Sequence, residues 1–408
     1  MKTLSFICIC TILLTACRDN GTEVQPGPHP VVRDLTTLEK GVVSSDNSFG
    51  LKLFVRINGV EPNKNVFISP FSVSMALGMA LNGAHGGTLD SMKRALEHSG
   101  FATQEINESY RSISSLLTNL DPSVAFSIAN SVWSRNTIEV LPAFLNNCRT
   151  YFGAEVASLD FSSPTALQTI NGWVNSSTNR RIPTILDEIP SEAVLYLINA
   201  IYFKGTWTYQ FDPAKTTDET FTSSAGSTSS CRMMKQKARY AYGATAEAQI
   251  IDLPYGNGSF SMIVILPKSG ISLNQFVAAL MQQQWDALVS NLDSTEVELF
   301  MPKLKMEYKR TLNDDLTAMG TGIAFSERAD FSGISHTPVV ITEVVHKTFV
   351  EVNEEGTEAA AATSVGFTTV SIPSTPTMRI DHSFVFAIRE HATGTILFIG
   401  KIVFPEGA

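Results

Sequence analysis

Side chains able to cut or transfer bonds are scattered along this chain rather than grouped. The seven histidines stand at positions 29, 85, 98, 336, 346, 382 and 391, and none of these spacings brings two imidazoles onto one metal. No His-Glu-x-x-His, Gly-x-Ser-x-Gly, Gly-x-x-x-x-Gly-Lys or Gly-x-Gly-x-x-Gly occurs. The adjacent carboxylates Glu354-Glu355 and Asp314-Asp315 would need a partner motif to act as acid and base; without one they read as solvated charges. Metal, cofactor and hydrolase chemistry have no residues to rest on, so no cofactor and no enzyme is expected. The unusual segment is the opposite of a catalytic motif. From Thr363 to Pro376 there is no charge and no periodicity. A structureless stretch of that length inside a compact domain is uncommon and usually functional. It is apolar enough to be read by another protein.

Three of the five cysteines, Cys8, Cys10 and Cys17, lie in the first seventeen residues. There a basic start (Lys2) precedes an apolar run from Leu4 to Ala16, too short for a membrane helix and suited to a secretory signal. Leu14-Thr15-Ala16-Cys17 resembles a bacterial lipobox. That resemblance implies cleavage before Cys17 and a diacylglyceryl group on its sulfur. Residues 1–16 are then a signal peptide and 17–35 a flexible tether, broken by Asp19-Asn20-Gly21 and Pro26-Gly27-Pro28-His29-Pro30. The location expected is a bacterial envelope, on the outer membrane, periplasmic or surface-exposed. Cys148 and Cys231 remain, expected to be free thiols. Thirty basic against 39 acidic residues give a net charge of −9, which argues against nucleic acid as a partner.

The elements that would hold these residues begin near position 36 and run without a second linker. Ile106, Tyr110, Ile113, Leu117 and Leu120 step by three or four and predict a helical face. Phe144, Cys148 and Tyr151-Phe152 do the same, as do Ile170, Trp173 and Val174. Val124, Phe126 and Ile128 alternate as in a half-buried strand. Leu195 to Phe203 is apolar on both faces except at Asn199, as a central strand would be. Phe260 to Leu266, Glu296 to Met301, Val339 to Val352 and Ile396 to Phe404 predict further strands. Helices dominate early and strands later, which suits an α+β architecture with large, mostly antiparallel sheets.

Five blocks then carry a family resemblance. Asn65-Val-Phe-Ile-Ser69-Pro70-Phe-Ser72 runs into Asn82-Gly83-Ala84-His-Gly86-Gly-Thr88. Leu197-Ile-Asn199-Ala200-Ile-Tyr202-Phe203-Lys204-Gly205-Thr-Trp207 follows, then Met301-Pro302-Lys303-Leu304 with Ala329-Asp330-Phe331-Ser332-Gly333. His346-Lys347 leads to Glu351-Val352-Asn353-Glu354-Glu355-Gly356-Thr357-Glu358-Ala359-Ala360-Ala361-Ala362-Thr363, and Asp381-His382-Ser383-Phe384 to the C-terminal Gly400-Lys401. In this order the blocks resemble the serpins across residues 36 to 406, and with the lipid anchor they resemble bacterial lipoprotein serpins of the miropin type. The resemblance implies three β-sheets, about nine helices and an exposed reactive-centre loop over about 354–378 of a domain spanning 36–408. It implies a monomer that traps a serine or cysteine protease. The protease cuts the loop, forms an acyl-enzyme, and is carried across the molecule as the loop enters the main sheet.

The hinge residues can be tested against that mechanism. A strand entering a sheet sends alternate side chains into the core. Thr357, Ala359, Ala361 and Thr363 would share the buried face and are all small and uncharged; Glu358, Ala360 and Ala362 would take the other. Gly356 offers backbone freedom where the chain swings. By resemblance, Ser69, Ser72, Asn199 and His346 form a polar cluster under the sheet centre. Trp207 sits beneath the insertion point, and Lys303 pairs with Glu354 beside the hinge. Family spacing, counted from Glu354, puts the scissile bond at Val370-Ser371, a bait for an elastase-like protease. Thr369-Val370 offers a similar bond, and Phe367-Thr368 would suit a chymotrypsin-like enzyme. No Lys or Arg lies between Lys347 and Arg379, so a trypsin-like target is not expected.

Overall fold

Thr36 and Glu39 start the first helix with a reciprocal cap. Glu39 N–H donates to Thr36 Oγ1 at 3.2 Å, and Thr36 N–H donates to Glu39 Oε2 at 2.7 Å. Arg33 clamps the same carboxylate with two hydrogen bonds of 2.9 and 2.6 Å, so ordered contacts reach back into the segment expected as tether. The structure, a computed structural model, describes residues 33–357 and 375–405.

Among the described residues the helices are α1 (Thr37–Val60), α2 (Pro70–Leu81), α3 (Gly86–Ala95), α4 (Thr103–Leu117), α5 (Pro142–Phe152), α6 (Pro164–Ser177), α7 (Leu273–Ala278), α8 (Gln282–Ser290) and the single turn α9 (Asn313–Leu316). The strands are β1 (Val66–Ile68), β2 (Val124–Arg135), β3 (Glu155–Leu159), β4 (Leu195–Thr206), β5 (Thr217–Thr222), β6 (Thr228–Ala244), β7 (Ala248–Tyr255) and β8 (Phe260–Pro267). They continue as β9 (Asp293–Pro302), β10 (Leu304–Thr311), β11 (Val345–Val352), β12 (Gly356–Thr357), β13 (Thr377–Arg379), β14 (Phe384–Glu390) and β15 (Ile396–Ile402).

One sheet has six strands in the order β10-β11-β12-β4-β2-β3. The other has nine, β1-β15-β14-β8-β7-β6-β9-β13, with β5 on the side of β6. The three sheets implied by the resemblance are visible here with two of them fused. The long β6 pairs with β5 and β9 over most of its length, and only its last four residues, Ala241 to Ala244, pair with β7. The α+β class and the helices over 106–117, 144–152 and 170–174 stand as expected, except that α4 ends at Leu117 and Leu120, expected on its face, lies beyond it. The strand expected over Val339–Val352 is shorter. Residues 339–344 lie outside it because their backbone groups pair elsewhere: Asn313 Nδ2 donates to Thr342 O at 2.9 Å, its Oδ1 accepts Val344 N–H at 2.8 Å, and Ile341 N–H donates to Ala324 O at 3.2 Å.

The six-stranded sheet has a core on each face. Toward α1, α2 and the larger sheet, Ile201 and Phe203 of β4 and Val350 and Val352 of β11 join the main core. On the other face α6 covers β2 and β4, with Ile170 and Val174 against Trp133, Tyr196 and Ile198. The 3.6-residue period of α6 meets the two-residue period of the strands there, which is why only one stripe of the helix is apolar.

Candidate functional site

Two residues of the segment expected to act as hinge already form a strand. Gly356 and Thr357 form β12 between β4 and β11, pairing with Thr206 and Gly205 on one side and with Val352 on the other. Both pairings are antiparallel, so β4 and β11 run parallel to each other, and among the described residues no ladder joins them directly. Gly356 and Thr357 thus stand at the start of a lane between β4 and β11.

Each hinge residue is held by a group from another element. Gly356 has φ 155°, and a Cβ there would stand 2.1 Å from the Gly205 carbonyl oxygen, so only glycine fits. Asn353 Oδ1 accepts the N–H groups of Glu355 and Gly356 at 3.0 and 3.2 Å, folding the chain back onto β11. Trp207 donates its backbone N–H to Glu355 O at 2.8 Å and its indole N–H to Asn353 O at 3.0 Å. Glu354 is buried, with Lys303 Nζ at 2.9 Å from Oε2 and the Thr216 hydroxyl donating to Oε1 at 2.8 Å. Burial alone would push this carboxyl up, but the Lys303 ammonium and the Thr216 and backbone donors outweigh it and hold it below the ordinary range. Thr357 points into the main core, 2.7 Å from the hydroxyl of Tyr255.

The polar cluster beneath the sheet falls into two groups. His346 on β11 accepts the Ser69 N–H on Nε2 at 3.0 Å, which fixes that nitrogen as unprotonated. The Ser69 hydroxyl donates to Leu397 O at 2.7 Å, and its oxygen accepts the Ser72 N–H at 3.3 Å as the N-cap of α2. Burial pushes the His346 imidazole down to about 4. Asn199 does not join this group. It sits across the lane on β4 and donates to its cross-strand partner Asn130 at 2.7 Å, while Asn130 donates to Phe152 O at 2.7 Å.

The segment from α6 back to β4 spans the lane. Arg135 of β2 donates to Ala193 O and Ser191 O, both at 2.7 Å, tying it to one half of the sheet. Asp187 pairs with Lys309 at 2.7 Å, and Arg181 lies 3.8 Å from Glu351 and over the ring of Phe349, tying it to the other half. On the far side of the loop, β13 runs parallel to β9, and the Arg379 guanidinium stacks on Phe300 at 3.6 Å while pairing with Glu219.

The structure therefore brings Glu354, Glu355, Gly356, Thr357, Trp207 and Lys303 into one site and Ser69, Ser72 and His346 into another. Glu358 to Thr363, the bonds at Phe367-Thr368, Thr369-Val370 and Val370-Ser371, and Cys17 lie outside the described residues. Sequence reasoning missed Tyr255, Asn353 and Thr216. The Asn353 side chain was within reach, since an Asn two residues before a turn residue is the pattern of an Asx turn. Tyr255 and Thr216 carry no local signal.

A family model described as serpin (serine protease inhibitor) matches residues 44–405. Iripin-8 of Ixodes ricinus is 36% identical over 376 residues, covering 88% of this chain and 92% of that protein. The leukocyte elastase inhibitor of Homo sapiens is 34% identical over 376 residues, covering 89% of this chain and 99% of that protein. Among solved structures, the thermophilic serpin tengpin in its native state superposes with a TM-score of 0.83 at 32% identity, covering 91% of this chain and 96% of tengpin. Human thyroxine-binding globulin complexed with its hormone gives 0.82 at 30%, covering 90% and 99%. With a two-residue hinge strand seated in a divided sheet and these likenesses over nearly the whole body, the chain belongs to the serpin family of serine protease inhibitors.

Proposed function

We propose that the protein is a suicide inhibitor that traps an elastase-like serine protease through cleavage at or near Val370-Ser371. The observation that carries this reading is the lane between β4 and β11, with the first two residues of the loop already seated in it. The residues that would follow Thr357 on the buried face, Ala359, Ala361 and Thr363, are small enough to continue the strand without a charge entering the core. The small aliphatic Val370 suits a small specificity pocket, and similarity to inhibitors named for leukocyte elastase points the same way. Incubation with elastase is expected to give an SDS-stable complex and a released C-terminal fragment beginning at Ser371. Clean cleavage without a complex would sink the inhibitor reading and favour a non-inhibitory binding or chaperone-like protein, binding being the role named for the thyroxine-binding relative.

We place this inhibitor on a bacterial envelope through lipid on Cys17, on the support of Leu14-Thr15-Ala16-Cys17. Mass spectrometry of the mature chain is expected to find a diacylglyceryl-modified Cys17 as its first residue; an unmodified N-terminus would overturn the anchor.

A further inference from the structure

The seat of Thr357 depends on a residue outside the loop. Tyr255 ends β7 and is fully buried. Its ring stacks on Trp207 with centroids 4.4 Å apart and planes 11° from parallel, and meets Phe203 edge-on at 5.0 Å. It also fills the space beside Gly205, where a Cβ would stand 2.8 Å from Tyr255 Cδ1. The ring is thus immobilised, and its one polar atom is aimed at the hinge, 2.7 Å from Thr357 Oγ1. Burial pushes the phenol well above its ordinary range, so it stays protonated and able to donate. Thr357 pairs in the ladder with Gly205, the residue that Tyr255 keeps small, so one ring shapes both the seat and its occupant.

We propose that Tyr255 is a positioning residue that sets how far the loop stands inserted before a protease arrives, by hydrogen-bonding Thr357 in the first seat of the lane. The proposal rests on the inhibitor reading above and deepens it. After cleavage, insertion races against hydrolysis of the acyl bond. A loop whose first residue is already seated starts that race ahead, and one whose Thr357 exchanges in and out starts behind.

The test uses the full chain and two substitutions that keep shape, Tyr255→Phe and Thr357→Val. Amide exchange followed by mass spectrometry on the segment 353–357 needs no protease. Each variant is expected to exchange there about five-fold faster than the parent, the worth of one buried hydrogen bond. The double variant is expected to exchange no faster than either single one, because both remove the same bond, and Thr357→Ser should behave as the parent. With protease, Tyr255→Phe is expected to at least double the inhibitor molecules consumed per complex formed. Exchange at the parental rate, additive effects, or faster exchange without a change in that ratio would overturn the proposal. Should Tyr255→Phe fail to fold, Thr357→Val alone carries the same measurements. A parent chain that forms no complex with any protease would instead overturn the inhibitor reading and leave the exchange result to judge the hydrogen bond.

Discussion

Thr357→Arg is expected to turn the protein from inhibitor into substrate, with complex yield falling to near zero while cleavage at the bait bond continues. Thr357 is 2% exposed and faces the main core. Its surroundings are the phenol of Tyr255, the bare backbone of Gly205 and the apolar Val352. Glu354, a carboxylate of the same segment, is already occupied by Lys303 and Thr216. A guanidinium in that seat would be a buried charge without a partner, a cost of several kcal/mol. The chain avoids the cost by leaving β12 out of the lane, where the introduced guanidinium would be solvated. The rest of the sheet keeps its ladders without β12, because β4 and β11 each keep a full partner on their outer side, β2 and β10. The variant should therefore fold, be cut by the same protease, and release it. Electrophoresis of the reaction in SDS decides the matter, and a complex yield equal to the parent's would refute insertion through this seat.

The residues around that seat are of two kinds, and they differ in how far the sequence reveals them. The helical stripe of Ile106, Tyr110, Ile113 and Leu117 and the doubly apolar run of β4 are periodic, and both stand as read. Gly356 was legible as the point where the chain swings, and it has φ 155°, while the carbonyl of Gly205 that excludes any Cβ there carries no local signal. Trp207 and the Lys303–Glu354 pair were reached only through family resemblance. Tyr255 and Thr216 were not reached at all, since what matters about them is register between strands far apart in the chain. Asn199 shows the same limit. Its partner is Asn130, opposite it in the β2–β4 ladder, and not His346 across the lane. The overlong strand at Val339–Val344 failed for another reason. Its apolar residues mimic a strand, while its backbone partners are supplied by Asn313, on a turn more than twenty residues away, and by Ala324.

Acid is expected to weaken the fold through His346, by about 3 kcal/mol between pH 6.5 and pH 4. The imidazole is buried on β11 and its proton affinity is pushed down to about 4, against an ordinary value of 6.5. In the unfolded chain it takes up a proton below pH 6.5; in the folded chain it stays neutral until about pH 4. Over that interval the unfolded state binds one proton more, so stability is complete above pH 6.5 and declines as the pH falls toward 4. The geometry agrees, because Nε2 accepts the Ser69 N–H at 3.0 Å and a protonated nitrogen could not. Charging it would set two N–H groups against each other where β11 meets the start of α2, at the edge of the lane. Denaturant unfolding of the parent and of His346→Gln, followed from pH 7 to pH 4, measures the effect. Glutamine offers Ser69 a carbonyl acceptor that does not titrate, so the variant's stability should depend on pH less steeply by the same 3 kcal/mol or so. Parallel profiles for the two proteins would show that His346 is not the acid-sensitive group. Where the profiles separate, the same charge that lowers stability also frees β11 from α2, so loop insertion and acid unfolding would begin with movement of one strand.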